Sequence, residues 1–160
     1  MRHTKEFTNM QKIRTYFFLT LSLFLGAFLI FYKIDKVPPA LYIDELAPSY
    51  NAFSILLTGK DEYGMFSPIL FRSAWLYIAP LYTYLTIIPV RIFGLTPFSA
   101  RFISAVSGIL SSLVIFLFLK NSEIFKNKFT PYLGLILFFI TPSIFFYSRF
   151  GAEISLGFLL

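Results

Sequence analysis

TYFFLTLSLFLGAFLIFY, Thr15 to Tyr32, runs without a charged side chain. At about 1.5 Å per residue a helix over this stretch reaches roughly 27 Å, close to the thickness of a bilayer's hydrocarbon core. Arg2, Lys5, Lys12 and Arg14 precede it. Cations ahead of a first span place the N-terminus in the cytoplasm. The chain then continues KIDKVPP, with no small-x-small cleavage site. The stretch is therefore read as an uncleaved helix running from inside to outside, not as a signal peptide.

The rest of the chain supports a membrane reading. Of its 160 residues 57% are hydrophobic and 14% charged, with 22 phenylalanines, which is too little charge to cover a soluble domain. The apolar residues come in blocks of spanning length, so an all-α integral membrane protein is expected. A formal charge of +6 suggests nucleic acid, but the Lys and Arg flank apolar segments, and membrane orientation explains them without a nucleic-acid partner. There is no cysteine, which excludes disulfides and thiolate chemistry. The single histidine, His3, lies in the basic tail, so a histidine-based metal site or triad is excluded too.

Two further runs are expected to span: FISAVSGILSSLVIFLFL (Phe102 to Leu119) and Phe129 to Tyr147. Between them KNSEIFKNK, 120–128, packs Lys120, Lys126 and Lys128 into a short loop that the positive-inside rule makes cytoplasmic. AWLYIAPLYTYLTIIPVRIFG, 74–94, is then awkward as a span, because it would move that loop outside. It is broken by Pro80 and Pro89 and carries Trp75, Tyr77, Tyr82 and Tyr84, so it is read as interfacial helix, with a kinked fourth span as the competing reading. The expected layout is a cytoplasmic basic tail (1–14), span (15–32), external loop (33–101), span (102–119), cytoplasmic loop (120–128) and span (129–147). A second external segment (148–160) then starts a further helix. This is a multi-pass protein of the cytoplasmic membrane, with Asp44 and Glu153 facing each other across the outer surface.

Four of the eight acids fall within ALYIDELAPSYNAFSILLTGKDEYG, 40–64. Proline fits best at a first helical position, so Pro48 predicts a helix starting near Ala47 or Pro48, stopped by Thr58-Gly59. Asp44 and Glu45 would sit in the turn before it, near the positive end of the helix dipole. One reading has Asp44 cap the helix and Glu45 merely solvated; the other makes Asp44 a base or cation ligand at the membrane boundary. TGKDEYG, 58–64, reads as a polar turn with Asp61 and Glu62 exposed. Arg149 reads as a snorkelling cation with Glu153 as its ion-pair partner, and Arg91 and Arg101 as interfacial anchors. There is no Gly-rich phosphate cradle, no zinc or iron ligand spacing, no serine paired with a base, and no internal repeat. A transporter half fits poorly, because the spans carry no buried ionisable group.

Taken in order, the Asp-Glu, YNAFSILLTGKDEYG, PLYTYL, IFGLTPFSARFISAVSGIL, the basic loop and TPSIFFYSRFGAE resemble the N-terminal part of the GT-C glycosyltransferases. The nearest branch is the protein-mannosyltransferase-like (dolichyl-phosphate-mannose-protein mannosyltransferase) group, over about Pro38 to Glu153. The resemblance implies transfer of a sugar from a polyprenyl-phosphate donor to an acceptor glycan, lipid or protein on the external face. It implies Asp44 as the base, assisted by a divalent cation (Mg or Mn) that Asp44 contacts. Glu45 is then a supporting catalytic residue, and Glu153 a third that positions acceptor or metal. Such a reaction needs a base for the acceptor hydroxyl and positive charge near the departing phosphate, with Arg72 and Arg149 as the substrate-binding candidates. Related sequences carry Lys-Pro before PLY, where this chain has Ile78 and Ala79, and Arg72 is the candidate substitute. GT-C folds continue with more spans than these, so the chain is expected to be a fragment, inactive by itself or completed by a companion chain. The alternative is a small non-enzymatic polytopic membrane protein, a remnant or an assembly subunit.

Overall fold

The computed structural model describes residues 2–73, 77–124 and 127–160. Trp75 and Lys126 lie outside these residues, as do the side chains of Arg2, His3, Lys5 and Lys12. The architecture is α-helical, with α1 (Arg2–Phe31), α2 (Ile43–Thr58), α3 (Pro80–Phe93), α4 (Pro97–Asn121), α5 (Thr130–Ile140), α6 (Pro142–Arg149) and the short α7 (Ile154–Gly157). A two-stranded antiparallel ribbon, β1 (Phe71–Arg72) and β2 (Tyr77–Ile78), pairs Phe71 with Ile78 and Arg72 with Tyr77.

Among the described residues two helices are long and apolar enough to cross a membrane: Ile13–Phe31 within α1, and α4. Their outward faces carry large apolar side chains in the open, among them Phe24, Phe28 and Phe118, as lipid-facing helices do. The segment 129–147 departs from a single straight span, because α5 and α6 meet at a 64° bend. Pro142 has no N–H for the Phe138 carbonyl, and its ring crowds that oxygen, so the helix breaks there. Thr141 turns its own Oγ1 back to the Leu137 carbonyl at 2.6 Å, which holds the end of α5. α3 has 14 residues, about 21 Å of helix, and falls short of the two candidate spans.

The helices pack through α4, whose inward face is nearly all small. Ala100, Ser104, Ala105, Ser107, Ser111 and Ser112 are buried on it, and a side chain on Gly108 would collide with Ser148 of α6. Small residues let backbones approach closely where lipid gives no hydrophobic drive to associate. Ile30 and Ile34, at the end of α1, meet Ala105 in a core flanked by Phe31, Phe98, Phe139 and Phe145. α1 and α4 run antiparallel: Arg14, Lys120 and Lys128 line a cavity at one end, and Ile30, Ile34 and Phe98 meet at the other.

α2 begins five residues before Pro48, at Ile43, which corrects the start expected from the proline. Pro48 therefore sits inside the helix and removes the N–H that would bond the Asp44 carbonyl, a defect that costs about 3 kcal/mol in an isolated helix. Tertiary bonds to Glu45 in the added turn offset that cost. The stop falls at Thr58, where Gly59 at φ +73° donates its N–H to the Ile55 carbonyl.

Candidate functional site

Glu45 is the acid that caps α2: its Oε2 accepts the Tyr42 backbone N–H at 3.0 Å. Neither the capping role expected for Asp44 nor the solvated one expected for Glu45 holds. Glu45 is 0% exposed and forms a two-pronged ion pair with Arg101 of α4, Nε to Oε1 at 2.7 Å and Nη2 to Oε2 at 3.2 Å. Gly151 N–H adds a third element, donating to Oε1 at 2.9 Å. A Cβ on Gly151 would stand 2.6 Å from the Ala100 carbonyl oxygen, so only glycine brings that N–H close enough.

Arg101 is not an interfacial anchor. It is 0% exposed, and besides Glu45 its guanidinium bonds the carbonyls of Ile34 and Pro38 through Nη1 and of Ala40 through Nη2, at 2.8, 2.9 and 3.0 Å. Arg149, at the end of α6, does the same for the neighbouring backbone: Nη1 to Leu29 and Nη2 to Lys33 and Val37. The two arginines together hold six carbonyls of the chain that leaves α1 and enters α2. Arg149 is thus neither a snorkelling cation nor the partner of Glu153, and its described donors leave it facing backbone rather than the cleft. These buried cations also qualify the expectation that the helices carry no buried ionisable group: both sit at helix ends, matched to carbonyls and one carboxylate.

Asp44, one residue before Glu45, projects the other way. It is exposed, and among the described residues no hydrogen bond or ion pair engages its carboxylate. It lines a cleft of about 590 Å³ together with Glu153, whose place at the start of α7 is set by the α6–α7 turn. Glu153 Oε2 accepts the Ala79 backbone N–H at 2.9 Å, tying the cleft to the turn before α3. Aromatic rings form the walls. Phe146 stacks on Phe150 at 5.5 Å, Tyr42 lies against Phe150 at 5.4 Å, and Tyr77, Tyr82 and Tyr147 also line it, with Ile43, Ile78 and Ile154 between them. The Tyr82 hydroxyl donates to the Ala100 carbonyl at 3.0 Å and lies 2.9 Å from Ser104 Oγ. Burial pushes its ionisation above the ordinary tyrosine range, the Ser104 bond works against that, and the charge of Glu45 adds to it.

The other candidates lie elsewhere. Arg72 is exposed on β1 with its guanidinium over the Tyr63 ring at 5.3 Å, and the cleft is lined by its neighbour Ser73 instead. The 58–64 turn is more ordered than a solvated loop. Asp61, expected to be exposed, is 4% exposed and accepts the N–H groups of Tyr63 and Met65 at 3.0 and 2.7 Å. Glu62 is exposed, and exchanges two hydrogen bonds with Asn51. Among the described residues no three histidine, cysteine or acidic side chains converge on one point.

Of the predicted site, then, the structure brings Asp44 and Glu153 to one cleft and places Glu45, Arg72 and Arg149 outside it. The aromatic walls were missed by the sequence reading. The run Phe145, Phe146, Tyr147 followed by Phe150 is a signal for them only once the bend at Pro142 is known. With two helices of membrane-spanning length and this cleft at their end, the molecule belongs to the class of α-helical membrane proteins. Comparison of the chain with known protein families, with characterised proteins and with solved structures finds no match.

Proposed function

We propose that this chain carries the carboxylate site of a membrane glycosyltransferase of the GT-C type, which transfers a sugar from a polyprenyl-phosphate donor to an acceptor outside the cytoplasmic membrane. The observation that supports this reading is the pairing of Asp44, without a partner among the described residues, with Glu153 on one cleft rich in aromatic rings. Carbohydrate presents C–H faces that stack on aromatic rings and hydroxyls that carboxylates accept from. The Asp44 carboxylate takes the proton of the acceptor hydroxyl as its oxygen bonds the anomeric carbon. The bond from that carbon to the phosphate oxygen breaks, and the polyprenyl phosphate leaves with the electron pair. Arg101 and Arg149 are committed to the carbonyls of 29–40, so their role is to hold Asp44 in place rather than to meet the phosphate.

A divalent cation fits the donor set in one form. Mg²⁺ keeps several waters and uses one or two carboxylates; Asp44 would be its ligand here, with Glu153 the other acid of the cleft. When bound, such an ion supplies positive charge beside the departing phosphate.

The test is sugar transfer in membranes carrying the complete protein, given radiolabelled polyprenyl-phosphate mannose or glucose. Asp44→Asn is expected to lower transfer at least about 100-fold at an unchanged membrane level, in line with loss of a general base. Full transfer by that variant removes Asp44 from the base role. Absence of transfer by the parent protein with either donor favours the non-enzymatic membrane protein.

A further inference from the structure

The second cavity lies at the opposite end of α1 and α4 from Asp44 and encloses about 900 Å³. Its rim carries Arg14 of α1, Lys120 at the end of α4 and Lys128 before α5, and no acidic side chain lines it among the described residues. Among the described residues none of these cations is in an ion pair; the Glu45–Arg101 bond is the one found there. The Lys120 ammonium instead rests over the Tyr16 ring at 5.7 Å and that of Lys128 over Phe129 at 5.3 Å, contacts that hold a cation without discharging it.

The cavity is graded along its length. On α1 its lining runs from Met10 through Arg14 and Phe18 to Ser22, about 18 Å of helix, and beyond the cations Phe116, Leu119 and Ile136 face the same space from α4 and α5. Tyr132 lines it one turn from Lys128, with its ring against Phe116 at 5.5 Å and Phe18 at 6.2 Å. A cationic rim thus opens onto an apolar channel that runs between helices of spanning length. A free phosphate ester would use the rim and leave the channel wet. An anionic phospholipid satisfies both ends, its phosphodiester at the cations and an acyl chain along the groove.

From this gradient we infer that the cavity is a binding site for one anionic phospholipid of the leaflet that the basic end faces. The inference is independent of sugar transfer and requires only that α1 and α4 span.

The test uses the full chain in a neutral detergent, equilibrated with equal amounts of dioleoylphosphatidylglycerol and dioleoylphosphatidylcholine. Native mass spectrometry then counts the lipids retained. The parent chain is expected to retain phosphatidylglycerol with at least a tenfold preference, and the triple variant Arg14→Gln, Lys120→Gln, Lys128→Gln to fall to about parity. Removing three exposed cations elsewhere (Lys36→Gln, Lys60→Gln, Arg91→Gln) is expected to leave the preference intact. Ile136→Trp, which fills the channel from an exposed position and keeps the cations, is expected to lower lipid retention severalfold. Equal retention of the two lipids by the parent overturns the site, as does an equal loss from both triple variants. Unchanged retention by Ile136→Trp removes the acyl chain from the groove. Displacement of the lipid by millimolar inorganic phosphate makes the ligand a water-soluble phosphate instead.

Discussion

Asp44 stands open at the cleft while Glu45, the next residue, is wholly enclosed, and the first turn of α2 accounts for both. Neighbouring helical positions point about 100° apart, so one carboxylate can reach Arg101 only if the other faces away. The two acids should separate cleanly under mutation. Glu45→Ala leaves the Arg101 guanidinium buried without its counter-charge, a change that costs about 3–5 kcal/mol. Thermal unfolding in detergent is expected to show that loss, and a shift typical of an exposed substitution would mean that Arg101 finds another partner. Asp44→Asn is expected to change stability by less than about 0.5 kcal/mol in the same measurement. Tyr82 adds a pH signature. Its folded-state ionisation is raised, so its contribution is complete below the unfolded value near pH 10 and is lost as pH climbs beyond it. The fall in unfolding temperature above pH 10 should therefore be shallower in Tyr82→Phe than in the parent, after their difference at neutral pH is subtracted.

At the scale of elements, the connection from α1 to α2 is held by side chains from far along the chain rather than by its own pattern. Among the described residues its backbone bonds close turns over 31–37, while the carbonyls of Ile34, Pro38 and Ala40 go to Arg101 and those of Lys33 and Val37 to Arg149. Arg149→Met keeps the bulk of the side chain and removes the donors. It is expected to raise amide hydrogen exchange across 33–42 at least about tenfold while α4 stays protected. Unchanged exchange there would mean that Arg101 alone suffices. Gly151→Ala acts on the same clamp from another side: the new Cβ would stand 2.6 Å from the Ala100 oxygen, so the loop must move and carry its N–H away from Glu45. It is expected to destabilise the protein although the added group is a single methyl.

For the whole molecule, the antiparallel run of α1 and α4 sets the carboxylate cleft at one end and the cationic cavity at the other. The chain has no cysteine of its own, so a single introduced thiol reports its side of the membrane without background. On the proposed orientation, with the N-terminus inside, Lys60→Cys is expected to react with an impermeant maleimide in intact cells, and Lys128→Cys only after the cells are opened. Reaction at Lys128→Cys and not at Lys60→Cys in intact cells would reverse that orientation and reject an external site, and reaction at both would reject the two-ended layout of α1 and α4.

The helical class, the apolar segments near Thr15 and Phe102, and the stop at Gly59 were legible in the residues. Each rests on a local rule: unbroken apolar length, or the left-handed conformation that glycine tolerates. The start of α2 was not legible, because Pro48 is a strong local signal and the bonds that override it come from Arg101 and Gly151. Nor was the bend between α5 and α6, since Pro142 sits in an apolar run that hydropathy reads as continuous. Asp44 and Glu153 stood out as acids in an apolar chain, and the expected layout set them facing each other on one side; that they line one cleft rests on the packing of α2, α6 and α7. By itself, the sequence determined which segments shun water and where α2 stops, because those depend on neighbours along the chain. Which acid is buried and which is free, and what the two arginines hold, only the tertiary structure decided, because a buried charge is set by partners that packing alone brings together.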